Sequence, residues 1–166
     1  MSQFNNLYQE MIRFYAGNPK RIQHFTKVHS YARLIGELEH LPVDLLEILE
    51  MAALVHDIGI RPAEEKYGSS NGKLQEQEGP AVAKDMLEKL SIQEDTIDRI
   101  CYLIGHHHTY TEIDGLDYQI LVEADFLVNL FEDGSSADTA REVRERIFKT
   151  ASGTWILNTM FGLEES

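Results

Sequence analysis

The sequence predicts an all-α protein that folds as one domain. Apolar residues recur at helical spacing along nearly the whole chain, and no stretch of useful length alternates apolar with polar residues. The 4 prolines and 11 glycines fall mostly between the periodic segments. A chain of 166 residues that is 43% hydrophobic suits one domain with a substantial core.

Three helices are expected in the first third of the chain. The first repeats Phe4, Leu7 and Met11 and ends at the Gly-Asn-Pro of 17–19. The second runs from about 19 to 39, and Pro42 opens a third that continues to about 58. Residues 59–72 contain proline, serines and three glycines, so we expect the longest loop of the domain there.

The remaining helices follow from caps and periodicity. One is expected over about 76–90, and Ser91 with Glu94 reads as the capping box of the next. Further helices are expected over about 117–132 and, after the cap Ser135-Ser136, over 137–150. A short last helix over 154–162 is expected to hold four side chains against the core: Trp155, Leu157, Met160 and Phe161.

The charge balance and the cysteine content exclude several classes of protein. With 15 Lys and Arg against 28 Asp and Glu, the net charge is −13, which argues against wrapping duplex nucleic acid. A small anionic ligand remains compatible, because a metal or local basic groups can reverse the field at one site. The single cysteine, Cys101, excludes an internal disulfide and a four-cysteine zinc site. With no visible targeting or membrane segment, we expect a cytoplasmic protein.

Polar residues interrupt the apolar pattern at three places where the core is expected. His56-Asp57 ends a strongly apolar helix, and Asp125 lies inside the apolar run of 120–128. His24 and His29 both lie among the apolar residues of the second helix. A buried carboxylate without a partner costs several kcal/mol, so each place needs an explanation.

One divalent metal ion would account for all three places, because imidazole and carboxylate are good ligands for such ions. Each residue also has a plainer explanation. A core histidine is often hydrogen-bonded to a neighbour, and a buried aspartate can pair with a basic residue or cap a helix. Spacing alone decides neither this choice nor that between His24 and His29.

The order of these residues resembles the HD superfamily of metal-dependent phosphohydrolases. An isolated histidine is followed by His56-Asp57 in "LVHDIG" and by Asp125 in "EADFL". The resemblance spans about 21–132, with 1–18 and 135–166 as flanking helices of the single domain 1–166. Members often have a basic residue and valine after the first histidine, which selects His24. The resemblance thus implies the metal ligands His24, His56, Asp57 and Asp125.

Two departures from the family pattern concern a second metal ion and the substrate. Many two-metal members have a histidine four residues before Gly79, where this chain has Gln75. Glu76 or Glu78 beside it could substitute or transfer protons, although an acidic first helical turn is an equally simple explanation. Ile60 stands where many members have a lysine that meets phosphate. The loop offers three other cations, each of which could also be ordinary surface charge: Arg61, Lys66 and Lys73.

Three consecutive histidines follow the fifth helix. By resemblance, His106 and His107 could bind a second metal or contact the substrate phosphate, with His107 the stronger candidate. His108 is expected to form a hydrogen bond nearby. Imidazolium groups also favour a helix C-terminus without any further role.

The resemblance implies hydrolysis of a small phosphorylated metabolite or nucleotide. It assigns catalytic roles to Asp57, Glu76 and His107, and it assigns substrate contacts to four residues: His106, Arg61, Lys66 and Lys73. One divalent ion (Mn, Fe, Ni, Co, Zn or Mg) is expected, and a second site and a homodimer are both compatible with the sequence. A regulatory module that binds metal or nucleotide without turnover is the main alternative. A di-iron oxygenase is a third.

Overall fold

The computed structural model describes residues 2–164 and confirms the all-α prediction, with no strand among them. None of the helices described over these residues is both long and apolar enough to cross a membrane. The helices are α1 (Gln3–Phe14), α2 (Pro19–Leu38), α3 (Val43–Val55), α4 (Ile60–Tyr67), α5 (Gly72–Lys89), α6 (Glu94–Ile104), α7 (Leu116–Glu132), α8 (Ala137–Ile147) and α9 (Ala151–Phe161).

The centre of the fold is built from α2, α3 and α7. Helix α2 packs against both α3 and α7, and α3 also contacts α6. Their facing side chains, among them Phe25, Leu54 and Leu127, are fully buried. Helices α1 and α4 to α6 surround this centre, and α8 and α9 pack on α7. Polar side chains positioned by these three central helices are therefore buried together.

The prediction of a loop over 59–72 is wrong for most of that range, because α4 occupies Ile60–Tyr67. Pro62 is the third residue of that helix, where the backbone N–H has no partner within the helix in any case. Ile60 and Ala63 are buried and give the helix its inner face. Gly68, with φ of 65°, ends it. A helix of 8 residues, about two turns, carries too short an apolar pattern to be read from sequence.

Gly59 allows α5 to approach the turn that follows α3. A Cβ at this position would lie 2.5 Å from the Gln75 carbonyl oxygen and 2.7 Å from the Gly79 nitrogen. These contacts are with backbone, which cannot move aside as a flexible side chain can. The glycine thus brings the first turns of α5, with Gln75 and Glu76, close to His56-Asp57.

The prediction that Ser91 begins a helix with a capping box is also wrong. Ser91 has φ of 56°, and its N–H donates to Glu88 O while the Ile92 N–H donates to Leu87 O. This pair of bonds is the Schellman motif that ends α5, so Ser91 belongs to the helix before it. Helix α6 begins three residues later, at Glu94.

The last helix starts earlier than expected and buries fewer of its large side chains. Thr150 caps α9 by accepting from the Gly153 N–H. Leu157 is fully buried, but Trp155 is 58% exposed and Met160 is 37% exposed, so the core packing expected for these two is wrong. The buried Glu123 of α7 holds the start of α9, because its carboxylate accepts from the Thr150 hydroxyl at 2.7 Å.

Candidate metal centre

Four buried polar side chains meet between the three central helices. His24 comes from α2, His56 and Asp57 follow α3, and Asp125 comes from α7. Each of the four residues is at most 5% exposed. One nitrogen or oxygen of each lies within 4.8 Å of those of the other three. The structure therefore brings together the four residues named as metal ligands from the sequence.

The imidazole nitrogens and carboxylate oxygens face one another directly. His24 Nε2 lies 3.1 Å from Asp57 Oδ2 and 3.3 Å from Asp125 Oδ1. His56 Nε2 lies 3.5 Å and 3.3 Å from the same two oxygens. The two Nε2 atoms are only 3.2 Å apart. His29 is elsewhere, with its Nε2 3.0 Å from Glu50 Oε1.

The other ring nitrogens are held by acceptors outside the cluster. His24 Nδ1 lies 3.2 Å from both carboxylate oxygens of Glu132, and His56 Nδ1 lies 2.7 Å from the Ala53 carbonyl oxygen. A proton on each Nδ1 satisfies these contacts and leaves Nε2 as the nitrogen that faces the cluster. Such outer partners are what orients histidine ligands in metal sites.

The carboxylates determine the protonation of the cluster. Burial favours the neutral acid, but the neighbouring His56, His107 and His24 outweigh it and hold the pKa of Asp57 well below its usual range. Burial likewise lowers the pKa of His24, yet hydrogen bonds to Asp125 and Asp57 raise that pKa to about 10. The cluster therefore holds two carboxylates and attracts positive charge into the core.

A divalent cation suits this donor set. If both Nδ1 atoms carry their protons, two Nε2 lone pairs face each other at 3.2 Å beside two carboxylates. Only a proton or a metal ion between them makes that arrangement favourable. Two imidazoles and two carboxylates suit first-row transition ions such as Mn, Fe, Co, Ni or Zn, whereas Mg²⁺ prefers oxygen ligands alone.

Comparison with known proteins agrees with this arrangement. The family model described as HD domain matches residues 21–151. The chain belongs to the HD domain family. Proteins with HD domains bind divalent metals, in keeping with the buried cluster. No protein matches in a search of curated sequences.

Solved structures share the fold of this HD domain. A predicted HD superfamily hydrolase from an uncultured Thermotogales bacterium is 24% identical, with a TM-score of 0.65 over 96% of this chain and 84% of its own. YpgQ from Bacillus subtilis is 17% identical, with a TM-score of 0.57 over 96% of this chain and 81% of its own. At these identities the likeness concerns the fold alone.

His107 lies directly beside the metal cluster of the HD domain. Its Nε2 is 3.1 Å from Asp57 Oδ1, and its Nδ1 is 2.7 Å from the Ile104 carbonyl oxygen. Both ring nitrogens face acceptors, so a proton on each nitrogen satisfies both contacts. Burial lowers the pKa of His107, but the Asp57 carboxylate outweighs this and raises it. Asp57 thus links His107 to the four-residue cluster through its second oxygen.

Gln75, which stands where many two-metal members of the family have a histidine, lies next to His108 beside the cluster. Its Oε1 accepts from His108 Nε2 at 2.8 Å, and its own amide donates to the Ser70 carbonyl at 2.6 Å. His108 Nε2 is also 3.9 Å from Asp57 Oδ1, so Asp57, His107 and His108 form a second group of potential ligands. Burial and the neighbouring His107 lower the pKa of His108 to about 4. His108 thus forms the nearby hydrogen bond expected for it.

The other residues named from the sequence lie at different distances from the cluster. Glu76 accepts from the Thr109 hydroxyl at 2.9 Å, on the side of α5 that faces the histidine run. His106 turns away, with its Nδ1 2.7 Å from the Tyr102 carbonyl oxygen and its ring stacked on Tyr102. Neither side chain contacts Asp57 directly in the structure.

The three predicted cations also lie outside the cluster. Lys66 pairs with Glu78 at 2.7 Å, and Lys73 forms no hydrogen bond or ion pair within residues 2–164. Arg61 donates to the Phe14 carbonyl at 2.6 Å and to Glu65 at 3.2 Å, on the side of α1. Among the described residues, none of these three side chains contacts the four candidate metal ligands.

The sequence reasoning missed several groups that surround the cluster. Arg21 Nη1 donates to Asp57 Oδ2 at 3.3 Å, and Asn129 donates to Asp125 Oδ1 at 3.0 Å. Helical spacing could have found them, because Arg21 precedes His24 by one turn and Asn129 follows Asp125 by one turn.

Tyr110 is a further missed group. Burial, together with the charges of Asp125, Glu76 and Asp57, raises its pKa to about 12. Its ring packs on Phe126 with the centroids 5.2 Å apart. The irregular segment between α6 and α7 gave no periodic signal that would have placed it near the cluster.

Proposed function

We propose that this HD-domain protein is a metal-dependent phosphohydrolase that acts on a small phosphorylated metabolite or nucleotide. The observation that carries the proposal is the shared position of Asp57. One of its oxygens faces His24 and His56, and the other faces His107. A metal-ligand group and a candidate proton donor therefore stand side by side.

The cluster supports the metal requirement of phosphate hydrolysis. His24, His56, Asp57 and Asp125 would hold one divalent ion. Such an ion neutralises phosphate charge and makes bound water more acidic. The outer contacts of Glu132 and Ala53 keep both imidazoles aimed at the cluster, so the ligands are oriented before any ion binds.

His107 and Glu76 are the proposed proton-transfer groups. Asp57 raises the pKa of His107 and so favours its protonated form, which makes His107 the candidate proton donor to the leaving oxygen of a phosphate ester. Glu76 is half-buried and hydrogen-bonded to Thr109, and its charge acts on Tyr110 together with those of Asp57 and Asp125. Because Glu76 and the two aspartates of the cluster all act on Tyr110, Glu76 lies on the same side of the molecule as the cluster, which supports a place for it near the substrate.

The Gln75–His108 hydrogen bond supports a site for one metal ion. His108 Nε2 donates to Gln75 and so is not free to bind a metal while that bond persists. We therefore infer a site for one ion. The hydrogen bond to Gln75 keeps His108, a member of the second group of potential ligands, from binding a metal. A two-iron oxygenase would need that group open, so its chemistry is not favoured.

The proposal is tested by loading metal-stripped protein separately with Mn, Fe, Co, Ni, Zn and Mg. Each form is then assayed for phosphate release from phosphomonoesters and nucleotides. We expect turnover with at least one ion, and His56→Ala should abolish it. His29→Gln is the matched control, because His29 contacts Glu50 outside the cluster. Tight nucleotide binding without product from any ion would instead favour a regulatory binding module.

A further inference from the structure

A cleft of about 220 Å³ adjoins the metal centre. Its lining includes Tyr15, Asn18, Arg21, Arg61 and Glu64. Arg21 joins the cleft to the centre, because it lines the cleft and also donates to Asp57 Oδ2 at 3.3 Å. The volume is several times the roughly 30 Å³ that a water molecule occupies in the liquid, so a phosphate group fits.

Two arginines line this one cleft in a protein whose net charge is −13. Arg21 uses one N–H on Asp57, and the guanidinium carries five such donors in all. Arg61 donates to the Phe14 carbonyl from Nη1 and to Glu65 from Nε at 3.2 Å, with the Phe14 ring 5.5 Å from its Cζ atom, so three of its five N–H donors are left. Planar guanidinium groups match the oxygens of phosphate, and two of them favour a multiply charged anion.

Hydrogen bonds of Tyr15 connect the lining of the cleft to the metal centre. The Tyr15 hydroxyl donates to the Asp57 carbonyl at 3.3 Å and accepts from the Arg61 N–H at 3.4 Å. Tyr15 itself is buried. The Tyr15 hydroxyl therefore connects the Arg61 backbone to the Asp57 backbone through two hydrogen bonds. Glu64 is the acidic residue of the lining, and the Ser70 hydroxyl donates to its carboxylate at 3.1 Å.

We propose that this cleft binds a second phosphate of the substrate, next to the phosphate that reaches the metal centre. This inference rests on the proposed phosphohydrolase function and makes it more specific. It selects compounds with adjacent phosphates, such as nucleoside di- or triphosphates, over simple phosphomonoesters. Arg21 is the contact between the two phosphates, because it touches both Asp57 and the cleft. Arg61 contacts the second phosphate alone.

The first test measures binding without turnover. Inorganic pyrophosphate is titrated into metal-free protein by calorimetry, because pyrophosphate in solution would itself bind a divalent ion. Losing one charge-assisted contact predicts about tenfold weaker binding for Arg61→Ala. The Arg61 side chain is 54% exposed, so this truncation leaves the core intact. Arg33→Ala is the matched control, because Arg33 is an exposed residue of α2 that pairs with Glu37 at 2.9 Å.

The second test compares adenosine diphosphate with adenosine monophosphate as substrates of the metal-loaded protein. We expect the ratio of their kcat/KM values to favour the diphosphate, and Arg61→Ala to lower that ratio by about tenfold. An unchanged ratio together with unchanged pyrophosphate binding would overturn the inference while leaving phosphohydrolase activity intact. Absence of all turnover in the unmodified protein would instead overturn the proposed function, and the calorimetric result would still decide whether the cleft binds phosphate.

Discussion

Replacing Asp125 with asparagine tests the electrostatics of the metal centre with almost no change of shape. The Asp125 Oδ1 atom lies 3.3 Å from His24 Nε2 and 3.3 Å from His56 Nε2, and it accepts from Asn129 at 3.0 Å. Asp125→Asn removes one of the two negative charges of the cluster while its neighbours keep their positions. We expect both the metal-free protein and its response to metal to change.

The size of the effect follows from burial. Removing one partner of a buried ion pair costs about 3–5 kcal/mol, because the other charge is left without compensation. For a chain of this size each kcal/mol shifts Tm by about 2–4 °C, so Tm should fall by about 10 °C. The unmodified protein should gain about 2.7 kcal/mol from metal at one hundred times Kd. The variant lacks one of the four ligands and should gain far less.

Thermal unfolding followed by circular dichroism measures both effects. Each protein is melted after treatment with a chelator and again with a saturating first-row metal ion. Asp133→Asn is the matched control, because Asp133 is exposed at the end of the same helix. The reasoning is refuted if Asp125→Asn melts within 2 °C of the unmodified protein and gains as much from metal.

Three further predictions concern pH, packing and metal content. In metal-free protein the pKa of His24 is about 10 against an ordinary 6.5, so its protonation stabilises the fold fully below pH 6.5. The urea midpoint should therefore fall as pH rises from 7 towards 10, and His24→Gln should remove that fall. Gly59→Ala should lower the free energy of unfolding by about 1–3 kcal/mol in urea melts, because its Cβ would meet backbone at 2.5 Å. Gln75→His should raise the metal content measured by mass spectrometry from one to two ions per chain, whereas Gln75→Ala frees His108 but adds no ligand and should leave it at one.

Most of the helices and the four polar residues of the central cluster could be predicted from the sequence and its resemblance. Periodic apolar residues such as Leu7 and Met11 indicate a buried helix face wherever the pattern lasts three turns or more. A carboxylate such as Asp125 inside an apolar run demands a partner, because its burial is otherwise too costly. These arguments need only the neighbours of each residue along the chain.

Features that depend on a few contacts between elements could not be predicted. Helix α4 is short, and its buried side chains Ile60 and Ala63 give no lasting period. Ser91 has the composition of an N-cap, but its positive φ and the bonds to Glu88 place it at the end of α5. Trp155 looks like a core residue, yet it is 58% exposed. In each case packing or backbone geometry outweighs local preference.

The sequence by itself determined an all-helical protein with histidines and aspartates where apolar residues belong. That much follows locally, since helical period and the cost of burying charge are properties of short segments. The family resemblance already selected His24 rather than His29, whereas only the tertiary structure decided that Arg21 rather than Lys66 reaches Asp57. The meeting of side chains from distant segments depends on how α2, α3 and α7 pack, and spacing along one helix carries no information about that packing.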